Sequence, residues 1–258
     1  MSAHRLPIRI VLALALTATS AILRADSAPK PAGANTLGGS IDAYARSAAA
    51  LGFSGTLLVA RGGDIILHRG YGWADRTRRV PNDTNTLFYI ASLSKQFTAA
   101  AVLLLEAEGK LKTGDPIGLY VKDVPLDKAG ITIHQLLTHT SGLPRFGWDE
   151  GTTDWKVMTR DEAVRGILGS RLTHAPGGRY DYQNANYILL AAIVERTSGT
   201  PFDEFLSAKV LRPAGIDPAR VGLNSAPAGV RDMAIGQSAG LPVGSFADRP
   251  KTWLRVGV

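Results

Sequence analysis

The sequence has no cysteine among its 258 residues. This absence excludes disulfide bonds, a thiol nucleophile and a lipid-modified N-terminal cysteine. Charge is also sparse, at 20% of residues, and the formal excess of +7 is scattered except for the short run Arg76-Thr-Arg-Arg79. Nucleic-acid binding requires a larger basic patch with interleaved aromatic side chains. We therefore expect no nucleic-acid partner.

One apolar run stands at the N-terminus, where Ile10 to Ala18 follows Arg5 and Arg9 and precedes small residues. This order is typical of a secretory signal peptide over about residues 1–25, with cleavage between Ala18 and Ala28. The run is too short for a comfortable membrane span, and an uncleaved N-terminal anchor is the alternative. We predict an exported protein, periplasmic or secreted, with no stable membrane anchor beyond the signal peptide.

The rest of the chain contains a single clear strand pair. Residues 26–39 are rich in proline, glycine and alanine and indicate a linker, which leaves residues 40–258 as the domain. The strand-like runs Gly55–Ala60 and Asp64–Tyr71 flank the turn Arg61-Gly-Gly-Asp64, a strong hairpin signal. Because an isolated hairpin is not stable, it either packs on helices or belongs to a larger sheet.

Helical patterns surround this hairpin. Apolar spacing predicts a first helix over Ile41–Leu51 with Ser40 as its N-cap. A second helix is predicted from the Ser92 segment to about Gly109, with Phe97–Leu105 as its apolar part. Further helices are predicted over Ile133–Leu137 after Thr132, from the capping box Thr159-Arg-Asp-Glu162 to about Leu168, over Ile188–Gly199, and from Pro201 as first helical residue. From Asp217 to Val258 we assign no element. The pattern lacks βαβ alternation and predicts an α+β fold.

A serine and a lysine three residues apart, Ser92 and Lys95, precede the apolar segment Phe97–Leu105. At the first turn of a helix this spacing places both side chains on one face. A serine hydroxyl is a weak nucleophile until a base takes its proton, and a lysine can be that base only where its pKa is lowered, for instance by burial. The spacing alone is a weak signal, because Ser27-Ala-Pro-Lys30 repeats it in a proline-rich segment.

A second polar motif, Tyr182-Gln-Asn184, lies in a predicted loop just before the helix at Ile188. A phenol there could share a proton with Ser92 and Lys95, and a cationic Lys95 would lower the pKa of Tyr182 and make it a better base. Asn184 could bind Lys95 or a substrate amide. The alternative is that Tyr182 belongs to an aromatic cluster with other tyrosines, Tyr180 and Tyr187.

The segment Ile90-Ala-Ser-Leu-Ser-Lys-Gln-Phe-Thr-Ala99 resembles the nucleophile segment of the serine β-lactamase and penicillin-binding-protein superfamily. The nearest branch is the class C-like group, which includes carboxylesterases and D-amino-acid peptidases. Three further segments resemble that group and occur in its order over about residues 40–235: the hairpin ending at Asp75, Leu136–Pro144, and Pro176–Leu190.

The resemblance implies a β-lactamase/transpeptidase-like fold, with an antiparallel sheet flanked by helices and a helical subdomain. It implies Ser92 as the acyl-accepting nucleophile, Lys95 as its base or electrostatic activator, Tyr182 as proton shuttle, and Asn184 as a ligand of Lys95 and substrate. His139 matches a family position, where we expect it to order its loop through hydrogen bonds. No metal or other cofactor is implied.

The resemblance also exposes a departure. The family has a third motif, Lys-Thr-Gly or His-x-Gly, on a sheet strand that follows the point where this chain stops. Lys112-Thr-Gly114 and Lys128-Ala-Gly130 match its letters, but they lie between the first two motifs. We therefore expect a domain that is incomplete at its C-terminus, with missing sheet strands, an unpaired hairpin edge, and poor stability and little activity when purified alone.

The implied function is that of a serine hydrolase that acts through an acyl-serine intermediate on an ester or amide, such as a β-lactam, a D-amino-acid peptide of cell-wall type or a carboxylic ester. One alternative is a non-catalytic or covalent penicillin- or peptide-binding protein on the same fold. Another is an inactive fragment. The motifs do not distinguish between substrates, because esterases and β-lactamases of this superfamily share them.

Overall fold

A computed structural model describes residues 36–146, 157–222, 233–238 and 241–244. The predicted signal peptide and most of the predicted linker lie outside these residues. The chain divides into two compact units, with the boundary between Asn85 and Thr86.

The N-terminal unit contains the predicted hairpin. Its elements are helix α1 (Leu37–Ala50), strands β1 (Gly55–Arg61) and β2 (Asp64–Tyr71), and the short strands β3 (Trp73–Asp75) and β4 (Val80–Pro81). Strands β1 and β2 pair antiparallel, from Gly55 opposite Tyr71 to Arg61 opposite Asp64. The two glycines of the turn have φ angles of 59° and 91°, which glycine adopts without steric cost. The hairpin is therefore confirmed.

Helix α1 begins earlier than predicted. Its N-cap is Thr36, whose side-chain hydroxyl accepts a hydrogen bond of 3.1 Å from the backbone N–H of Gly39. The predicted cap, Ser40, lies inside the first turn, and its N–H already donates to the Thr36 carbonyl. The cap prediction was wrong because the two glycines after Leu37 weaken the apolar pattern without preventing a capped first turn.

Helix α1 is joined to strand β2 through Asp42. The carboxylate of Asp42 accepts hydrogen bonds from the Tyr71 hydroxyl at 2.7 Å and from Arg69 at 3.1 Å on β2, and from Arg46 at 3.0 Å one helical turn away. The hydrogen bond from Tyr71 is the main cause that lowers the pKa of Asp42. Burial, and then this bond, raise the pKa of Tyr71 to about 12.

The C-terminal unit is mainly helical. Its α-helices are α2 (Lys95–Ala107), α3 (Ile133–Leu137), α4 (Arg160–Gly169), α5 (Asn184–Ser198) and α6 (Phe202–Leu206), and a π-helical turn follows at Ser207–Leu211. Short 3₁₀ helices occupy Ala91–Ser94, Ile117–Leu119 and Pro218–Arg220. The predicted capping box at Thr159 and the predicted N-cap at Thr132 are both present. Pro201, predicted as the first helical residue, is instead the N-cap of α6.

Helix α5 is the centre of this unit. Every residue from Ala185 to Val194 is buried, because the segment is apolar around its whole circumference except at Asn186. Helices α2, α3, α4 and α6 all pack against it. The helix ends at Gly199, which has a φ of 70° and donates its N–H to the Glu195 carbonyl. This buried helix carries the second predicted motif at its N-terminus.

Two strands near the C-terminus were not predicted. Strands β5 (Gly236–Ser238) and β6 (Leu241–Gly244) form an antiparallel pair after Asp217, where no element had been assigned. Across the described part of the chain, β1 pairs with β2, β3 with β4, and β5 with β6, each as a two-stranded sheet. Antiparallel strand pairs with separate helices are an α+β arrangement, as the sequence predicts. None of the described helices has both the length and the hydropathy needed to cross a membrane.

Candidate active site

Ser92 lies in a tight turn directly before α2. The 3₁₀ helix Ala91–Ser94 contains it, whereas we had predicted the first turn of an α-helix. Its first residue, Ala91, has a φ of 45°, in the left-handed region that L-residues adopt at a cost of roughly 1–2 kcal/mol. The Ser94 hydroxyl donates to the Ala91 carbonyl and closes this turn. The turn leaves Ser92 exposed.

Lys95 is the first residue of α2, and its side chain is buried at 7% exposure. Its Nζ lies 3.1 Å from Ser92 Oγ and 2.8 Å from Asn184 Oδ1. The amino group donates to both oxygens. The two motifs predicted from sequence, 89 positions apart, therefore meet at one nitrogen atom.

Tyr182 and Asn184 are positioned by the loop before α5. Helix α5 begins at Asn184, four residues earlier than we predicted, so Asn184 is a helical residue and Tyr182 stands two residues before it. The ring centroid of Tyr182 lies 5.0 Å from Lys95 Nζ, and the side chain is 43% exposed. Ser92, Lys95, Tyr182 and Asn184 thus occupy one site.

Tyr182 also belongs to the aromatic cluster that we weighed as the alternative. The cluster is built around the buried His139, whose ring centroid lies 4.4 Å from that of Tyr182, 5.1 Å from Tyr187 and 6.0 Å from Tyr180. The two interpretations are compatible here, because one face of the site is aromatic and Lys95 lies over the rings of both Tyr182 and Tyr187.

Burial and charge shift two groups of this cluster. Burial, and then the positive charge of Lys95, lower the pKa of His139 to about 4, so the imidazole is neutral at neutral pH. Burial also raises the pKa of Tyr187, with Tyr182 and Tyr180 adding to the shift. Within the described ranges, no group of three or more metal-binding side chains is present.

Two buried polar residues next to the site were not predicted from the sequence. Ser141 and Asn186 are both fully buried, and the Ser141 hydroxyl donates to Asn186 Oδ1 at 2.5 Å. The sequence feature that could have revealed them is Asn186 itself, a single amide within the apolar run of α5. A buried amide needs hydrogen-bond partners. By contrast, Lys112-Thr-Gly114 lies in a turn whose N–H groups bind Asp115 and Glu106, as expected of a chance match.

Comparison with known proteins agrees with this fold. The chain is 39% identical over 173 residues to penicillin-binding protein 4* of Bacillus subtilis, a match that covers 66% of this chain and 38% of that protein. Its structure is similar to that of FmtA from Staphylococcus aureus, with a TM-score of 0.74, 24% identity, and coverage of 90% of this chain and 63% of the other. It is also similar to a penicillin-binding protein from Bacillus halodurans, with a TM-score of 0.65, 31% identity, and coverage of 84% and 66%.

These likenesses define a β-lactamase/transpeptidase-like fold. Residues 40–251 match the model of the family described as Beta-lactamase, and the chain belongs to that family. It spans less than two thirds of the length of each relative named above. The assignment to the class C-like branch stays a prediction.

Proposed function

We propose that the chain is a serine hydrolase that forms an acyl intermediate on Ser92 from an ester or amide substrate. The observation that carries the proposal is the position of Lys95, which binds Ser92 Oγ and Asn184 Oδ1 with one buried amino group. A structural lysine in a hydrophobic core would be expected to reach a carboxylate or water instead. Membership of the family supports the same reaction class.

The acylation step needs a proton acceptor for the Ser92 hydroxyl. Either Lys95 takes the proton in its neutral form, or Lys95 stays cationic and favours the phenolate of Tyr182 as the acceptor. Ser92 Oγ then attacks the substrate carbonyl, the bond to the leaving amine or alcohol breaks, and the proton passes to that leaving group. Water hydrolyses the acyl-serine ester and restores the Ser92 hydroxyl. The substrate classes are a β-lactam, a D-amino-acid peptide or a carboxylic ester.

A second candidate function is covalent capture without turnover. It is favoured by the 39% identical relative, which is named a penicillin-binding protein. In that case the acyl-serine forms by the same step and persists. The remaining alternative is a chain that is not acylated at all.

Labelling of Ser92 separates these functions. The purified chain is incubated with a fluorescent penicillin and, separately, with a fluorophosphonate, and the adduct is located by peptide mass mapping. We expect an adduct on Ser92 that is absent from Ser92→Ala. Release of the penicillin adduct with product formation supports a hydrolase, and a persistent adduct supports the binding protein. Absence of any Ser92 adduct contradicts both.

We also propose that the chain is exported to the periplasm or medium. The support is the N-terminal order of basic, apolar and small residues, which lies outside the described residues. Residues 1–35 can be fused to a reporter that is active only after export to test this proposal. A reporter that stays inactive in the cytoplasm would contradict it.

A further inference from the structure

His139 has an unusual backbone conformation and a buried side chain. Its φ is 56°, in the left-handed region, and its side chain is 7% exposed. Its ring contacts two tyrosine rings, at 35° to Tyr182 and 30° to Tyr187. A non-glycine residue with a positive φ next to a candidate active site is a reason to look for a role there.

His139 contacts the residues on both sides of Tyr182. The backbone carbonyl of His139 accepts the N–H of Asp181 at 2.8 Å, and its ring Nδ1 accepts the N–H of Gln183 at 3.3 Å. The imidazole also contacts the ring of Tyr182 itself, at a centroid distance of 4.4 Å. One residue therefore fixes the backbone before Tyr182, the backbone after it, and its side chain.

The hydrogen-bond directions determine the protonation state of the ring. The Leu143 N–H donates to Ser141 Oγ, so the Ser141 hydroxyl proton is free to donate to Asn186 Oδ1. The amide of Asn186 then points its NH₂ group at His139 Nδ1, 3.1 Å away. Since Nδ1 accepts from Asn186 and from a backbone N–H, it carries no proton, and the neutral ring is the Nε2–H tautomer.

We propose that His139 is a positioning residue, which holds Tyr182 in place through a neutral imidazole with Nδ1 as the acceptor. This inference rests on the proposed function, because it assigns His139 to the same site. It goes beyond ordering its own loop, since the segment it fixes is the one that carries Tyr182 and leads into Asn184.

Burial of the His139 ring favours this neutral form most strongly, and the charged groups around it act in opposite directions. Lys95 on α2 disfavours a second cation in the same site, whereas Asp181 favours one. The other titratable groups that contact the His139 ring are the tyrosines Tyr180, Tyr182 and Tyr187. Protonation of Nδ1 would break the hydrogen bonds from Gln183 and Asn186 together.

Two substitutions test the hydrogen-bond acceptor and the aromatic ring of His139 separately. His139→Asn can retain an acceptor atom near Nδ1 and loses the stacked ring, whereas His139→Phe retains the ring and loses the acceptor. His134→Phe is the matched control, since His134 is exposed on α3, five residues away. The rate of fluorophosphonate labelling at Ser92 and the kcat and KM for a chromogenic ester are measured for each variant.

We expect His139→Phe to lower the labelling rate and kcat about 10- to 100-fold with little change in KM, because a small displacement of a reacting group has effects of that size. His139→Asn should recover much of this loss, and His134→Phe should match the unchanged chain. Wild-type rates in His139→Phe would overturn the proposal.

A readout independent of activity keeps the two proposals separate. Nitrogen-15 NMR of the wild-type histidines reports the tautomer directly. The Nε2–H tautomer of His139 is expected at pH 7 and at pH 5.5, and an Nδ1–H tautomer or an imidazolium at pH 5.5 would overturn the inference. If Ser92 is never labelled, the proposed function fails, while the NMR result still decides the state of His139.

Discussion

Lys95 Nζ and Asn184 Oδ1 lie 2.8 Å apart, although 89 positions separate them in the chain. Lys95 opens helix α2, and Asn184 opens helix α5, so the contact joins the N-termini of two helices that pack together in the core. The same Lys95 amino group lies 3.1 Å from Ser92 Oγ.

Removal of the Asn184 amide should slow acylation. Asn184→Ala deletes a hydrogen-bond acceptor that holds Lys95 beside Ser92, and a small displacement of a reacting group has large effects, so we expect Ser92 labelling to slow by about 10- to 100-fold. Asn184→Asp keeps an acceptor oxygen and should lose less. The labelling rates are measured by stopping the fluorophosphonate reaction at successive times. An unchanged rate in Asn184→Ala would show that this contact has no part in activating Ser92.

Stability should depend on pH through His139. In the folded chain its pKa is about 4, against an ordinary value of 6.5. Between these values the unfolded chain binds more protons, so the free energy of unfolding falls as pH decreases from 6.5 to 4. A shift of this size corresponds to about 3 kcal/mol.

Urea denaturation at pH 7 and at pH 4.5 checks that dependence. His139→Phe cannot titrate, so its free energy of unfolding should decrease less over this range than that of His134→Phe, which retains His139. Equal decreases in the two variants would count against a neutral buried His139.

The loop after α3 should not tolerate a side chain at Gly142. A Cβ there would lie 2.1 Å from the His174 carbonyl oxygen, and the residue has a φ of 77°. We expect Gly142→Ala to reduce the free energy of unfolding by about 2 kcal/mol or more. Gly169→Ala is the control, because a Cβ at the end of α4 meets nothing within 4 Å. Denaturant melts that show the same midpoint for both variants would contradict this.

In the N-terminal unit, the Tyr71 hydroxyl should contribute to stability. Tyr71→Phe removes its 2.7 Å hydrogen bond to the Asp42 carboxylate and should cost about 1–2 kcal/mol. Tyr44→Phe, on the exposed face of α1 at 78% exposure, should have no measurable effect. Thermal unfolding followed by circular dichroism compares the two variants, and an equal melting temperature would contradict the assignment.

Local signals made several elements predictable from the sequence. The hairpin followed from two strand-like runs around a glycine pair, and α4 followed from its capping box, because both depend on residues adjacent in the chain. The residues alone left open whether Tyr182 and Asn184 lie beside Lys95, since no periodicity joins positions so far apart. The family resemblance supplied the expectation that Ser92, Lys95, Tyr182 and Asn184 meet.

Some of the errors arise from a local backbone conformation, and others from contacts that are distant in sequence. The turn at Ser92 depends on a positive φ at Ala91, and alanine gives no sign of such a conformation. The early start of α5 depends on Asn184, whose side chain binds Lys95 instead of capping the helix. The network from Ser141 through Asn186 to His139 links the loop after α3 to the buried helix α5.

The most direct test of the account is the rate at which a fluorophosphonate modifies Ser92 in the wild-type chain and in Lys95→Met. Methionine is similar in length to lysine and carries neither the charge nor the donor, so the buried position remains filled. Mass mapping should locate one adduct, on Ser92, and its second-order rate constant should fall by about 100-fold or more in Lys95→Met. An equal rate in both chains, or an adduct on another residue, would contradict the claim that Lys95 activates Ser92.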